Sequence, residues 1–317
     1  MEIKDYKSGD EVEILKLFQL SFGKSMSEQY WKWRFTKSPI QKTMIKLMWH
    51  NDILAGHYAV SPLRLNINGD RVLTALSMTT MTHPDYAGKG IFTDLAEALY
   101  KDENKKSGLK AVWGFPNNNS HYGFIKNLSW IDIEQIPTLS INIDKIKKSE
   151  FSIIKTIDFF NKKHIDTYNE ITHDYRVKIE KTVEYLAWRY TQNPSYKYEI
   201  FELADEYHSY FAVTKIFKSF TIKDAFEIDI LELSFPPVFD VLLALMNAIV
   251  NYYKNQKLVR INIWLPINDR KHILMEKLGF TNALPITYFG IRTIDSGFIK
   301  IEDLKSWIYS MGDSDIY

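Results

Sequence analysis

The run His83-Pro84-Asp85-Tyr86-Ala87-Gly88-Lys89-Gly90-Ile91-Phe92, near the start of residues 77–130, holds the residue types that a phosphate-cradling loop needs. Gly88 and Gly90 let the backbone turn tightly with its amides exposed, and Lys89 adds a point charge. Unpaired N–H groups in the first turn of a following helix, helped by the helix dipole, would then face a pyrophosphate. Two elements must position such a loop. Residues 76–82 could form a strand leading in, and Ile91, Leu95, Ala98 and Leu99 at helical spacing predict a helix leading out. Two glycines at a strand-to-helix junction also suit an ordinary turn, so the loop needs support from its surroundings.

Composition removes several other chemistries. The 317 residues contain no cysteine, which excludes disulfides, thiolate nucleophiles and cysteine-ligated zinc. The eight histidines form no His-x-x-x-His pair, so a zinc-hydrolase motif is absent and no metal is expected. A net charge of +1 gives no electrostatic footprint for nucleic acid or an anionic membrane. Charged residues follow Met1, and no run approaches the ~20 apolar residues of a membrane span, so a cytoplasmic location is expected. Hydrophobic residues at 45% can bury a sizeable core, and the length favours two domains. Aromatic content of 15% suits an aromatic-rich core or a carbohydrate-facing cleft.

Along the chain, Val12, Leu15, Phe18 and Phe22 predict a helix over residues 10–22, and Ser25 with Glu28 suggests a capping box for the next one. Strands are expected over 44–49 and 53–61, and a hairpin at Asn68-Gly69. Residues 131–143 are read as one or two strands broken at Pro137, and lysine-rich 144–150 as a linker. An internal repeat joins the two halves. Tyr30-x-x-Trp33-Arg34-Phe35-Thr36-x-x-Pro39 returns as Tyr185-x-x-Trp188-Arg189-Tyr190-Thr191-x-x-Pro194, a constant shift of 155 with five identities in ten places. Lys126 to Trp130 is echoed by Glu276 to Phe280.

Residues 84–92, a helix, an apolar strand over 111–115 and then Asn117-Asn118-Asn119-Ser120-His121-Tyr122-Gly123-Phe124-Ile125 up to Ser129-Trp130 resemble the acetyl-CoA half of a GNAT N-acetyltransferase. With the repeat, the resemblance implies a mixed α/β fold (α+β, mixed sheet) of two tandem GNAT-like units. The expected division is a GNAT unit with the acetyl-CoA loop over residues 1–143, the linker 144–150, and a degenerate unit with its tail over 151–317. The family's loop usually begins with Arg or Gln and ends in Gly or Ala, whereas here those places hold Ala87 and Phe92. The second copy has Leu233-Ser234-Phe235-Pro236-Pro237-Val238 instead, with two prolines lacking N–H and no glycine, so only the first unit is expected to bind the cofactor.

The resemblance also implies a site. Acetyl-CoA would be held by Ala87, Gly88, Lys89, Gly90, Ile91 and Phe92, with Asn119 touching the pantetheine and a backbone N–H near Met81 or Thr82 polarising the thioester carbonyl. The family's usual tyrosine position falls on Ile125, so Tyr122, about one turn earlier, is the candidate acid for the leaving thiolate. Asn119 could equally be a helix cap. No carboxylate lies in residues 77–82, and the acidic, aromatic tail ending in Tyr317 is the other catalytic candidate, because tandem GNAT enzymes of the aminoglycoside-acetylating kind bring their terminus into the active site. His83 and His121 could relay a proton or serve as surface and capping residues. Trp33 and Arg34 recur in the copy without the loop, which argues that they hold the fold. The expected activity is transfer of acetyl from acetyl-CoA to an amine of a small molecule, such as an amino sugar, with no nucleic-acid partner. The alternatives are an aminoacyl transferase of the peptidoglycan-bridge type and a non-catalytic acyl-CoA-binding GNAT pair.

Overall fold

A computed structural model describes residues 1–147, 154–295 and 297–317. Residues 148–150 of the expected linker lie outside the described residues. The chain divides into two compact units, the first of residues 1–134, 193–195 and 288–301, the second of residues 135–192, 196–287 and 302–317.

Unit 1 begins with β1 (Glu2–Asp5), α1 (Glu11–Phe22) and α2 (Glu28–Phe35), followed by the meander β2 (Met44–His50), β3 (Ile53–Ile67) and β4 (Asp70–Thr82). The α1 helix buries Ile14, Leu17 and Phe18, while Val12 and Phe22 are exposed, so the packed face lies one position round from the expected one. The cap of α2 is Ser27, whose side chain accepts from the Tyr30 N–H, in place of Ser25. The hairpin joining β3 and β4 turns at Asn68 (φ 53°) and Gly69 (φ 98°), the left-handed pair that an Asn-Gly turn supplies at least cost. α3 (Ile91–Ser107), β5 (Ala111–Gly114) and α4 (Asn118–Leu128) complete the motif, and β6 (Ile131–Asn142) leads out as one strand through Pro137. β5 lies parallel to β4 and pairs antiparallel with residues 290–293 on its other edge. Ile91, Leu95, Leu99, Tyr100, Phe124, Leu128 and Trp130 join Tyr58 and Val60 in one core of mixed aliphatic and aromatic side chains.

Unit 2 repeats this plan: β7 (Lys155–Ile157), α5 (Lys162–Ile171), β8 (Val177–Ile179), α6 (Val183–Leu186) running into a π-turn over Ala187–Thr191, then β9 (Glu199–Ala204), β10 (Ser209–Lys218), β11 (Phe226–Ser234), α7 (Phe239–Tyr252), β12 (Leu258–Ile263), α8 (Lys271–Leu278) and β13 (Thr281–Thr293). Its sheet runs β7-β9-β10-β11-β12, closed by β6 through Leu139–Asn142, and its core gathers Phe201, Ala212, Ile230, Leu245, Met246, Ile261 and Phe280. The end of β13 is the segment that pairs with β5 in unit 1. The closing strands are thus exchanged along the chain: residues 135–143 count with unit 2 and 288–301 with unit 1, where a linear division would put each with its own repeat. Among the described residues no helix is long and apolar enough to cross a membrane.

Candidate active site

The loop after β4 is built from local caps. His83 Nδ1 accepts from the Asp85 N–H at 3.3 Å and opens a single 3-10 turn over Pro84–Tyr86. The buried Tyr86 ring is tied through its hydroxyl to His50 Nδ1 at 2.7 Å, and Lys89 Nζ lies 4.5 Å over the ring. His83 is thereby a capping residue. Gly88 and Gly90 both take the left-handed region, at φ 75° and 76°, and Gly90 caps α3 with no side-chain hydrogen bond. The first bond into the helix runs from the Asp94 N–H to the Gly90 carbonyl at 3.0 Å. Among the described residues, nothing accepts from the backbone N–H groups of residues 88–93. A Cβ on either glycine would meet nothing within 4 Å, so the face above the loop is open. Ala87, Gly88, Lys89 and Gly90 are exposed, Ile91 is buried, and Phe92 turns inward, edge-on to Phe124 at 5.1 Å. The amides at the head of this 17-residue helix are uncapped, and helix geometry and dipole together favour an anion at such an end.

Beside the loop, β4 parts from β5. The two pair only from Thr74↔Ala111 to Leu76↔Trp113, after which β4 continues alone on that side through Thr82. Its register with β3 also slips here, from Ala59↔Met78 to His57↔Met81, which leaves a bulge at Thr79 with φ 50°. Ser77, at the apex of the split, is held from below by a buried chain: Tyr58 Oη lies 3.0 Å from Ser77 Oγ and 2.7 Å from Tyr100 Oη, which accepts from Trp130 Nε1 at 3.2 Å. The strand edge facing the split is where a ligand's amide groups could pair, as an added strand would. The Met81 side chain is buried and that of Thr82 half-buried.

The remaining expected residues are placed as follows. Tyr122 is 63% exposed and lies under Lys126 Nζ, 5.2 Å away, on the side of α4 opposite its packed residues Phe124 and Leu128. Ile125 is half-buried against the core. Asn119 is exposed, and the helix cap is Asn117, whose side chain accepts from the Asn119 and Ser120 N–H groups. His121 is instead engaged: its Nε2 lies 2.7 Å from Asp132 Oδ1, and its ring stacks at 3.7 Å on Tyr288. Asp132 and Tyr288 carry no sequence signal, because neither falls in the loop motif. Tyr317 belongs to unit 2, edge-on to Trp264 at 5.2 Å with its backbone carbonyl accepting from Arg189, and burial pushes its hydroxyl pKa upward.

His57 carries no motif in the sequence, yet it is fully buried against the bulge. Its Nδ1 lies 2.8 Å from the Thr79 carbonyl, and burial lowers its pKa to about 4. The folded protein therefore refuses a proton that the unfolded chain takes at about pH 6.5. Stability is expected to fall as pH drops from about 6.5 towards 4, by roughly 3 kcal/mol from this residue in full. Guanidinium melts across that window should show a smaller acid loss for His57→Asn than for the wild-type protein.

The comparisons fit this geometry. Residues 2–130 match the family model described as an acetyltransferase (GNAT) domain. The fold of the chain extends the likeness over nearly its whole length. The GCN5-related N-acetyltransferase from Anabaena variabilis ATCC 29413 superposes with a TM-score of 0.69 at 13% identity, covering 93% of this chain and 73% of that one. A probable N-acyltransferase from Enterococcus faecalis V583 gives 0.72 at 15%, covering 92% and 72%. Saccharomyces cerevisiae N-myristoyltransferase with bound myristoyl-CoA gives 0.63 at 11%, covering 92% and 80%. No curated protein sequence matches the chain.

Proposed function

We propose that unit 1 transfers an acetyl group from acetyl-CoA to an amine of a small molecule, with an amino sugar as the preferred acceptor. The observation that carries this reading is the open Gly88-Lys89-Gly90 loop at the head of α3, set beside the split between β4 and β5. The loop amides would take the pyrophosphate with Ala87, Ile91 and Phe92 shaping its flanks, and the β4 edge at Met81 and Thr82 would pair with the pantetheine arm. A backbone N–H of that edge would stabilise the oxyanion as the neutral amine attacks the thioester carbonyl; the C–S bond then breaks, the nitrogen gives up one proton to water and the thiolate takes one. Asn119, exposed at the start of α4, is free to meet the pantetheine. Similarity to a myristoyl-CoA-binding fold supports an acyl-CoA donor of some chain length. In a thermal melt, millimolar acetyl-CoA should raise Tm, and no shift would count against the donor.

The proton donor is tested by mutation. Because Tyr122 lies on the solvent side of α4, Tyr122→Phe is expected to keep kcat within about twofold, whereas loss of a positioned acid costs on the order of a hundredfold. A loss of that larger size, with KM for acetyl-CoA unchanged, would establish the hydroxyl as the acid.

A further inference from the structure

We infer that His57 is a positioning residue of the acyl-donor crevice, holding the β4 bulge in the conformation that keeps β4 apart from β5. The inference rests on the acyl-CoA reading above. A carbonyl oxygen can only accept, so the 2.8 Å contact to Thr79 fixes the proton on Nδ1 and leaves Nε2 as the bare nitrogen of a neutral ring. Nε2 is buried and has no hydrogen-bond partner, so the ring is retained although one polar atom is unsatisfied. Phe35 of α2 packs edge-on to the imidazole at 6.1 Å and fixes its plane.

What the ring holds is itself costly. Thr79 is β-branched, and its φ of 50° lies in the left-handed region that such side chains avoid. Such a conformation persists only where its surroundings over-determine it, and here the Nδ1–H bond to its carbonyl does so from within the neighbouring strand. Without that bond, β4 could relax towards an unbulged ladder, and residues 77–82 would move from their free edge. The matching bulge in unit 2 is filled differently. Its register slips at Leu231, and no histidine stands at Val213 or Thr214 on the facing strand. Gly312 of the tail is seated there so closely that an added Cβ would fall 1.9 Å from Tyr190 Oη and 3.0 Å from the Leu231 carbonyl. The copy with the open loop thus has its bulge clamped by a side chain and its strand edge free, whereas in the copy without the loop a peptide segment occupies the bulge.

The test separates the two ends of the donor. Acetyl-CoA engages both loop and crevice, while 3′-phosphoadenosine 5′-diphosphate, its nucleotide end, can engage only the loop. By calorimetry, His57→Leu is expected to weaken acetyl-CoA by about tenfold or more and to leave the nucleotide within about twofold. His57→Asn, whose side-chain N–H can replace Nδ1–H, should keep both affinities near wild type. Adding Thr79→Gly to His57→Leu should recover acetyl-CoA binding in part, since glycine takes a positive φ without help. Unchanged acetyl-CoA affinity in His57→Leu, or an equal loss of both ligands, would overturn the positioning role. Should His57→Leu fail to fold, loss of acetyl-CoA binding by a folded His57→Asn would overturn it as well. If the wild-type protein binds neither ligand, the acyl-CoA reading falls and takes this inference with it.

Discussion

Replacing Gly90 by valine is expected to abolish the rise in Tm that acetyl-CoA gives the wild-type protein. At a ligand concentration about 100 times Kd the stabilisation is ~2.7 kcal/mol, which for a domain of this size is a shift of roughly 5–10 °C. Two effects remove it in the variant. Gly90 sits at φ 76°, where an L side chain costs about 1–2 kcal/mol and a β-branched one more, so the loop would leave its left-handed turn. The valine methyls would also stand in the open space above the α3 amides, where the pyrophosphate would lie. Pro236→Ala, in the corresponding segment of unit 2, should leave the shift intact. A full shift retained by Gly90→Val would mean that the nucleotide binds elsewhere.

The largest loss of stability is expected from Arg189→Met. Arg189 is buried, and its guanidinium donates to the carbonyls of Gly312 (3.0 Å), Ser314 (3.4 Å) and Tyr317 (2.5 Å) and to Tyr198 Oη (3.1 Å). One side chain therefore fastens the last residues of the chain to unit 2. Nearby, Lys181 Nζ lies 2.5 Å from Glu232 Oε2 and 3.3 Å from Asp313 Oδ1, and Tyr190 Oη donates to Glu232 Oε1 at 2.8 Å. Methionine preserves the volume of the stem but leaves buried carbonyls without donors, a change of about 3–5 kcal/mol by analogy with broken buried pairs. At roughly 2–4 °C per kcal/mol the Tm of unit 2 should drop by on the order of 10 °C. Limited proteolysis should then cut the chain first after residue 304. An unchanged Tm would show that the tail contributes nothing to the unit.

The same substitution bears on the repeat. Trp188 and Arg189 occupy the places of Trp33 and Arg34, and both arginines are buried, Arg34 with its guanidinium 5.8 Å over Trp33. Arg189 spends its donors on backbone carbonyls of the tail and on Tyr198, and in unit 2 this place of the repeat holds structure.

Much of the candidate site was readable because its signals are local. Glycine at a positive φ, a proline at the start of a 3-10 turn and an apolar period of 3.6 residues act within a few bonds of the residue that carries them. The loop over residues 84–92 and the Asn68-Gly69 hairpin follow from such signals, and the two-unit repeat from matching one short window against another. The packed face of α1 was displaced by one position because Val12 and Ile14 are equally apolar, and only the sheet beneath decides which is covered. Tyr122 and His121 are neighbours on α4, yet one faces solvent and the other meets Asp132 and Tyr288, a distinction that needs the strands on which those partners lie.

The sequence by itself determined a glycine turn at a strand-to-helix junction in the first copy, its absence from the second, and the GNAT-like order of elements around both. The tertiary structure alone decided which strand closes each sheet, where β4 leaves β5, that His57 clamps the bulge, and that Tyr317 is anchored by Arg189. The reason is range. A turn or cap is settled by the φ and ψ preferences of a few neighbouring residues, whereas strand exchange, a bulge and a seated tail are chosen by contacts between residues tens to hundreds of positions apart, whose sum no short window of sequence contains.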